Sequence, residues 1–176
     1  MEIRDRLPEH PVPGAVHSRA ARSRVRIDGL VAHELLVDST ELTALPRVTI
    51  EEPFVCEEGW KVPGLRWGGV ILAGVLELAQ PLNAARFVCV HSGDYSIAVP
   101  LQQAAEVVLS DTLDGLPLPV GHGGPWRLVV PGGQCFSSVK WVDRLEVTQR
   151  EPATTGERIA RNRIRGDSQA GLQPGR

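Results

Sequence analysis

Polar and apolar residues alternate along Arg24–Val31, "RVRIDGLV", until Asp28–Gly29 breaks the alternation, the pattern of a strand running into a turn. "ELLVD" predicts a second short strand. In "DSTELTAL", Asp38 or Ser39 is placed to cap a short helix that ends before Pro46. "RVTIEEPFVC" reads as extended, with Val48 and Ile50 on one face, and it delivers Cys56 at its end. In Val70–Ala79, "VILAGVLELA", apolar residues recur at i, i+3 and i+4, which predicts a helix lying on the core. "RFVCVHS" (Arg86–Ser92) is an apolar run short enough for a buried strand, and "YSIAVP" predicts another. Pro100 suits the first position of a helix running to Leu109. "LDGLPLP" is a turn, "WRLVVPG" and "VKWVDRLEVTQ" alternate as strands, and Gly132–Gly133 reads as a tight turn.

These elements predict an α+β domain, mixed and strand-rich, with two or three short helices covering one side. The domain is expected over residues 24–149. Residues 1–23, rich in proline and charge and without periodicity, are expected as an extended N-terminal arm. Residues 150–176 form a polar tail in which Arg158, Arg161, Arg163 and Arg165 lie close together. There is no Gly-rich strand-to-helix turn of the Rossmann kind.

Composition narrows the classes. A chain of 176 residues, 42% hydrophobic and 23% charged, is one domain's worth and buries a core without staples. A net charge of −2 removes any global electrostatic reason to expect nucleic acid or an anionic membrane as partner. Three cysteines, Cys56, Cys89 and Cys135, fit neither a disulfide framework nor a CxxC zinc site. No stretch approaches the roughly 18 apolar residues of a membrane span. The sequence given shows no signal-peptide pattern, so a cytoplasmic location is expected.

Cys56 raises a chemical question. In "FVCEEGW" the thiol precedes two carboxylates, Glu57 and Glu58, which oppose thiolate formation. A bound metal would keep the sulfur ionised regardless. Further along, Arg127 and Lys140 lie in apolar strand patterns, where a cation needs a carboxylate or a bound anion. His122 stands in the loop "GHGGPWR", and Tyr95 is the single tyrosine. A soft ligand together with fixed cations is what a phosphorylated metal cofactor requires.

The run "VCEEGW…LRWGGVILAGVLELAQPLNAARFV", followed by "YSIAVPL", "DGLPLPVGHGGPWRLVVPG" and "SSVKWVDRLEV", resembles the molybdopterin-binding domain of the sulfite-oxidase-type oxidoreductases, over roughly residues 24–148. The resemblance implies that family's fold and a molybdenum–molybdopterin cofactor, with the chemistry of oxygen-atom transfer to or from a small substrate. It implies Cys56 as the metal ligand. Ser92, His122, Arg127, Ser138, Val139 and Lys140 become cofactor contacts, the Ser138 and Val139 contacts through backbone. Tyr95 and Trp60 become residues of the substrate face. Nothing in the chain binds haem or flavin by motif, so the resemblance also implies a separate electron donor or acceptor.

Where sulfite oxidases carry arginines after the cysteine, this chain has Glu57, Glu58, Gly59, Trp60 and Lys61. That spacing is closer to the sulfoxide-reductase branch, whose substrates are neutral. Residues 1–23 offer no identified counterpart to the N-terminal cofactor contacts of longer members, and His10 and His17 are not assigned as ligands. Two other readings stand beside this one. A catalytically inactive domain of the same fold, serving as a binding or scaffold module, would pair Arg127 with an internal carboxylate and pack Cys56 against apolar side chains with no cavity above it. A thiol-dependent enzyme would set His91 or His122 beside Cys56.

Overall fold

The computed structural model describes residues 1–9, 11–12, 14–20, 23–159 and 162. Arg161, Arg163, Arg165, His10 and the His17 side chain lie outside the described residues.

Three sheets carry the fold. The first is mixed and joins β2 (Arg24–Gly29), β3 (Leu35–Asp38), β8 (Phe87–Ser92), β9 (Tyr95–Pro100) and β13 (Arg144–Thr148) in the order β3-β2-β13-β8-β9. β13 runs parallel to β2, and the other pairs are antiparallel. The alternation read from the sequence is realised here. Val25 and Ile27 are fully buried while Arg24 and Arg26 face outward, as a two-residue period requires. β8 lies inside the sheet and buries Val88, Cys89 and Val90 in succession, which is why its sequence is a continuous apolar run.

The second sheet is antiparallel. It joins β4 (Arg47–Glu51), β7 (Arg66–Ile71), β10 (Val108–Leu113) and β11 (Leu116–Pro117), with β12 (Arg127–Val129) paired to β10. The third is small: β5 (Phe54–Val55) and β6 (Trp60–Val62) form a hairpin, and β1 (Glu2–Ile3) adds to β6 in parallel. Residues 1–23 are thus more than an extended arm. Leu7 enters a core, and Gly14–Ala20 form a helix, α1, that buries Val16.

The capped helix is present as α2, Ser39–Thr43. The Asp38 carboxylate accepts from the amides of Thr40 and Glu41 at 2.9 and 3.0 Å, and Glu41 returns a bond to the Asp38 amide at 2.8 Å. Two helix expectations are corrected. In Val70–Ala79, Val70 and Ile71 belong to β7, and only Leu72–Glu77 form a helix, α3. Val70 pairs with Leu109 on one side and Arg47 on the other, and that double ladder overrides the helical period. The helix expected from Pro100 to Leu109 is a 3-10 turn at Leu101–Gln103 followed by β10. Val107, Val108 and Leu109 are apolar in succession because neighbours cover this central strand on both faces. Likewise Val139–Trp141 is loop, not strand. Trp141 has φ +55° and its indole N–H donates to the Val120 carbonyl at 2.7 Å.

The larger core fills the space between the first sheet, α2, α3 and the inner face of the second. A smaller cluster of Leu7, Trp60, Val62, Leu65, Trp67, Val108, Leu118 and Val129 joins the second sheet to the third, with Phe54 and Cys56 packed on its edge. Among the described residues no helix is long and apolar enough to cross a membrane.

Candidate functional site

Cys56 stands at the tip of the β5–β6 hairpin. Its carbonyl accepts from the Gly59 amide at 3.1 Å and its amide donates to the Trp60 carbonyl at 2.9 Å. This short reversal needs a left-handed residue before β6, and Gly59, at φ +91°, provides it. The half-buried thiol is pushed up to about 11, chiefly by burial, with further upward pressure from Cys135 and the Glu58 carboxylate. A hydrogen bond from the Glu58 amide opposes the shift only in part. In the unliganded protein the group is therefore a thiol at neutral pH, and a metal arriving there displaces a proton. Among the described residues no cluster of three or more His, Cys, Asp or Glu could hold a metal. A metal at Cys56 must bring its other ligands with it, as one carried on an organic cofactor does.

The geometry lends the thiol-enzyme reading no support. No histidine contributes to the Cys56 ionisation. His91 lies against Glu146 in the first sheet at 3.1 Å, and the His122 carbonyl accepts from Arg127 in a loop beyond β11.

Arg127 lies on β12 with 2% of its surface exposed. Its Nε donates to Ser138 Oγ at 3.0 Å and one terminal nitrogen to the His122 carbonyl at 2.8 Å. The guanidinium carbon stands 4.9 Å from the centre of the Trp67 ring and 5.2 Å from that of Phe54. Among the described residues no carboxylate forms an ion pair with it. Burial alone pulls it down to about 10. The internal carboxylate that an inactive scaffold would need is not found.

The two loops expected to hold the cofactor are bound to each other. Lys140 Nζ donates to the Gly121 carbonyl at 3.1 Å, and the Trp141 amide to that of Gly123 at 2.9 Å. A Cβ on Gly123 would press on the Lys140 side chain at 2.8 Å, so only glycine permits this approach. Ser138 accepts from Arg127 and donates to the Leu128 carbonyl at 3.1 Å. The backbone amides of Ser138 and Val139 already donate within the loop, to Cys135 at 3.3 Å and Ser137 at 3.1 Å, and the Val139 side chain is buried. A ligand taking those amides must displace these bonds.

A cleft opens between the segment before the hairpin and the loop after β12. It is lined by Glu52, Phe54, Val55, Trp67, Val130, Gly133, Gln134, Cys135 and Ser138, among others. Of the expected residues, Ser138 lines it directly. Arg127 braces three of its walls (Phe54, Trp67 and Ser138), and His122 and Lys140 connect to it through backbone carbonyls. Tyr95 reaches the same loop, its hydroxyl donating to the Phe136 carbonyl at 2.6 Å, and Ser92 pairs with Tyr95 at the end of the β8–β9 hairpin. Trp60 is not on an open face. It is 6% exposed, 5.5 Å from the Phe54 ring, and covered by the Arg4 guanidinium at 4.6 Å.

Two residues escape a reading of the sequence alone. Arg4 comes over the hairpin because β1 pairs with β6, and there it is drawn further toward its charged form, first by Glu2 and then by Glu58 and Cys56. Cys135, in a 3-10 turn at Cys135–Ser137, lines the cleft and adds to the upward pressure on the Cys56 thiol. Neither has a local signal, since both gain their place from contacts distant in sequence.

Comparison with known proteins bears on the family and the fold. Residues 10–155 match the family described as the oxidoreductase molybdopterin binding domain. An NADPH nitrate reductase of Leptosphaeria maculans is 30% identical over 167 residues, covering 78% of this chain and 19% of its own length. A chain from Azospira oryzae assigned as a protein-methionine-sulfoxide reductase subunit is 30% identical over 136 residues, 76% of this chain and 52% of its own. The crystal structure of the sulfane dehydrogenase SoxCD from Paracoccus pantotrophus shares the fold with a TM-score of 0.70 at 23% identity, covering 78% of this chain and 40% of that one. The cysteine hairpin, the buried arginine and the match over residues 10–155 lead to one conclusion: the chain belongs to the molybdopterin-binding domain family of oxidoreductases.

Proposed function

We propose that Cys56 ligates the molybdenum of a molybdopterin cofactor and that the domain catalyses oxygen-atom transfer to or from a small, neutral substrate. The observation that carries the proposal is Arg127, a buried cation with no carboxylate partner among the described residues, stacked against Phe54 of the hairpin that presents Cys56. Such a charge calls for an anion, and the phosphate of a pterin cofactor is one.

Each residue has a task set by its chemistry. Cys56 gives up its proton and supplies a thiolate. Arg127 and Lys140 bring positive charge, while Ser138 and the His122 loop fix the guanidinium plane. Phe54 and Trp67 keep that side of the cleft apolar and limit water. The cofactor, when bound, supplies the redox chemistry by cycling between Mo(VI) and Mo(IV). Tyr95 is the candidate for the substrate side, through its link to the Cys135–Ser137 turn.

Neutral substrates are favoured by charge. Glu57 and Glu58 are exposed at the hairpin tip, and Glu58 raises the Cys56 thiol electrostatically, so an anionic substrate meets repulsion there. The relative assigned to methionine-sulfoxide reduction points the same way. A separate protein or small acceptor exchanges electrons with the site.

The test is metal analysis of protein purified from a host that makes molybdopterin. Near-stoichiometric molybdenum that falls to background in Cys56→Ser supports the proposal. Absence of molybdenum from the wild type, or the same content in Cys56→Ser, refutes it.

A further inference from the structure

We propose that β4 is a self-docking surface: two copies of the chain pair their β4 strands antiparallel about a two-fold axis at Thr49. β4 is an outer strand of the second sheet, in the order β11-β10-β7-β4. Its ladder with β7 fixes which backbone groups face away. The Glu52 amide donates to the carbonyl of Leu65, directly opposite it in that register, at 3.0 Å. Opposed residues of an antiparallel pair alternate between bonded and unbonded, so Ile50 and Val48 also bond toward β7. The amides and carbonyls of Arg47, Thr49 and Glu51 therefore point outward. Arg66, opposite Glu51, has the same phase: its carbonyl accepts from the Asp114 amide at 2.8 Å, on the side away from β4. Among the described residues no hydrogen bond reaches the outward groups, and Arg47, Thr49 and Glu51 are exposed.

The strand, Arg47-Val48-Thr49-Ile50-Glu51, complements itself. Laid on a second copy about Thr49, Arg47 meets the partner's Glu51, Val48 meets the partner's Ile50, and Thr49 meets the partner's Thr49. Every outward residue then exchanges both its amide and its carbonyl with the residue opposite. A register one residue away would oppose outward groups to inward ones and lose those bonds. Charge fits as well. Glu51 forms no ion pair among the described residues, not even with Arg66 opposite it on β7. Arg47 reaches across β7 to Asp111 of β10, with Nη1 donating to Oδ2 at 3.1 Å, and keeps donors for a second carboxylate. The two-fold axis repeats the Arg47–Glu51 pair on its other side, as an isologous interface requires.

The other sheet edges lack this fit. On β9 the Ser96 amide donates to Thr155 Oγ1 at 3.0 Å and the Thr155 amide to Ser96 Oγ at 3.3 Å, so the chain covers that edge itself. A β3 pair centred on Leu36 would set Glu34 against Asp38. β1, β5 and β11 are two residues long. A strand of five residues makes a small interface, so association at micromolar concentration is expected. No part of it involves Cys56 or the cleft.

Sedimentation velocity of the full chain, from low to high micromolar concentration, decides. The wild type should pass from one-chain to two-chain mass and stop there. Glu51→Lys sets a lysine against Arg47 on both sides of the axis, and Arg47→Glu sets a glutamate against Glu51. Each variant alone should stay a single chain. An equimolar mixture of the two restores both opposite-charge pairs and should recover the two-chain species, which a charge effect elsewhere on the surface would not do. Thr49→Pro removes the central outward amide, a change that an edge strand tolerates, and should also stay a single chain. Urea unfolding checks that each variant is folded; should Thr49→Pro or Arg47→Glu fail to fold, Glu51→Lys, whose side chain has no ion-pair partner to lose, carries the test. A wild type that stays a single chain, a two-chain species that Glu51→Lys leaves intact, growth beyond two chains, or two folded charge variants whose mixture does not associate overturns the proposal.

Discussion

Replacing Arg127 by methionine separates a cofactor-binding arginine from a structural brace. In the unliganded protein burial holds the guanidinium at about 10, against roughly 12.5 for a free one. That difference, at 1.36 kcal/mol per tenfold, corresponds to about 3 kcal/mol spent on keeping the charge. Its two hydrogen bonds and its contacts with the Phe54 and Trp67 rings offset that cost. Methionine keeps the apolar contacts with Phe54 and Trp67, and Ser138 keeps its bond to Leu128. The main new cost is an unsatisfied His122 carbonyl, about 1–3 kcal/mol. Removal of the burial penalty offsets most of it, so stability should change by no more than about 2 kcal/mol. Losing the buried partner of a phosphate should instead weaken cofactor binding by about 2–5 kcal/mol. Urea unfolding of the unliganded protein reads the first quantity, and molybdenum per chain after dialysis reads the second. A variant that loses well over 3 kcal/mol of stability yet retains its molybdenum would refute the reasoning and make Arg127 a brace.

Other consequences follow from single groups. Cys56 binds its proton to about 11 when folded, above the ordinary 9.0, so the unfolded chain ionises first and stability falls as pH rises from 9.0 toward 11. Cys89 is raised by burial in the same direction, so Cys56→Ser should reduce this alkaline loss in urea titrations without abolishing it. The same shift leaves Cys56 with about 100-fold less thiolate at neutral pH, offset in part by greater nucleophilicity, so iodoacetamide should label it roughly tenfold more slowly than glutathione. Gly69→Ala places a methyl group against the Leu109 carbonyl and Ser110 Cα at the β7–β10 contact, and unfolding should show a loss at the upper end of about 1–3 kcal/mol. Asp38→Ala removes the α2 cap and should cost about 1 kcal/mol by the same measurement.

Local chemistry explains what could be read without coordinates. The Asp38 capping box is written in adjacent residues, and Val25, Ile27, Leu145 and Val147 alternate because each faces one core. The expectations that failed were those with an ambiguous local signal. Val70–Ile71 and Val107–Leu109 are apolar runs that suit a helix or a strand covered on both faces, and only the ladder between β7 and β10 decides. Trp60 looked like a substrate-facing aromatic, but β1 brings Arg4 over it.

By itself, the order of residues settled the strand-rich α+β class and the family to which the chain belongs. Those features depend on neighbours a few positions apart, or on a motif order that folding does not change. Tertiary structure alone decided that Arg127 is a buried cation braced by Phe54, Trp67 and Ser138, that Arg4 covers the hairpin, and that Cys135 lines the cleft beside it. The physical reason is common to all three. Burial, charge pairing and the lining of a cleft are set by segments that are distant in sequence, and their values exist only once the sheets have closed.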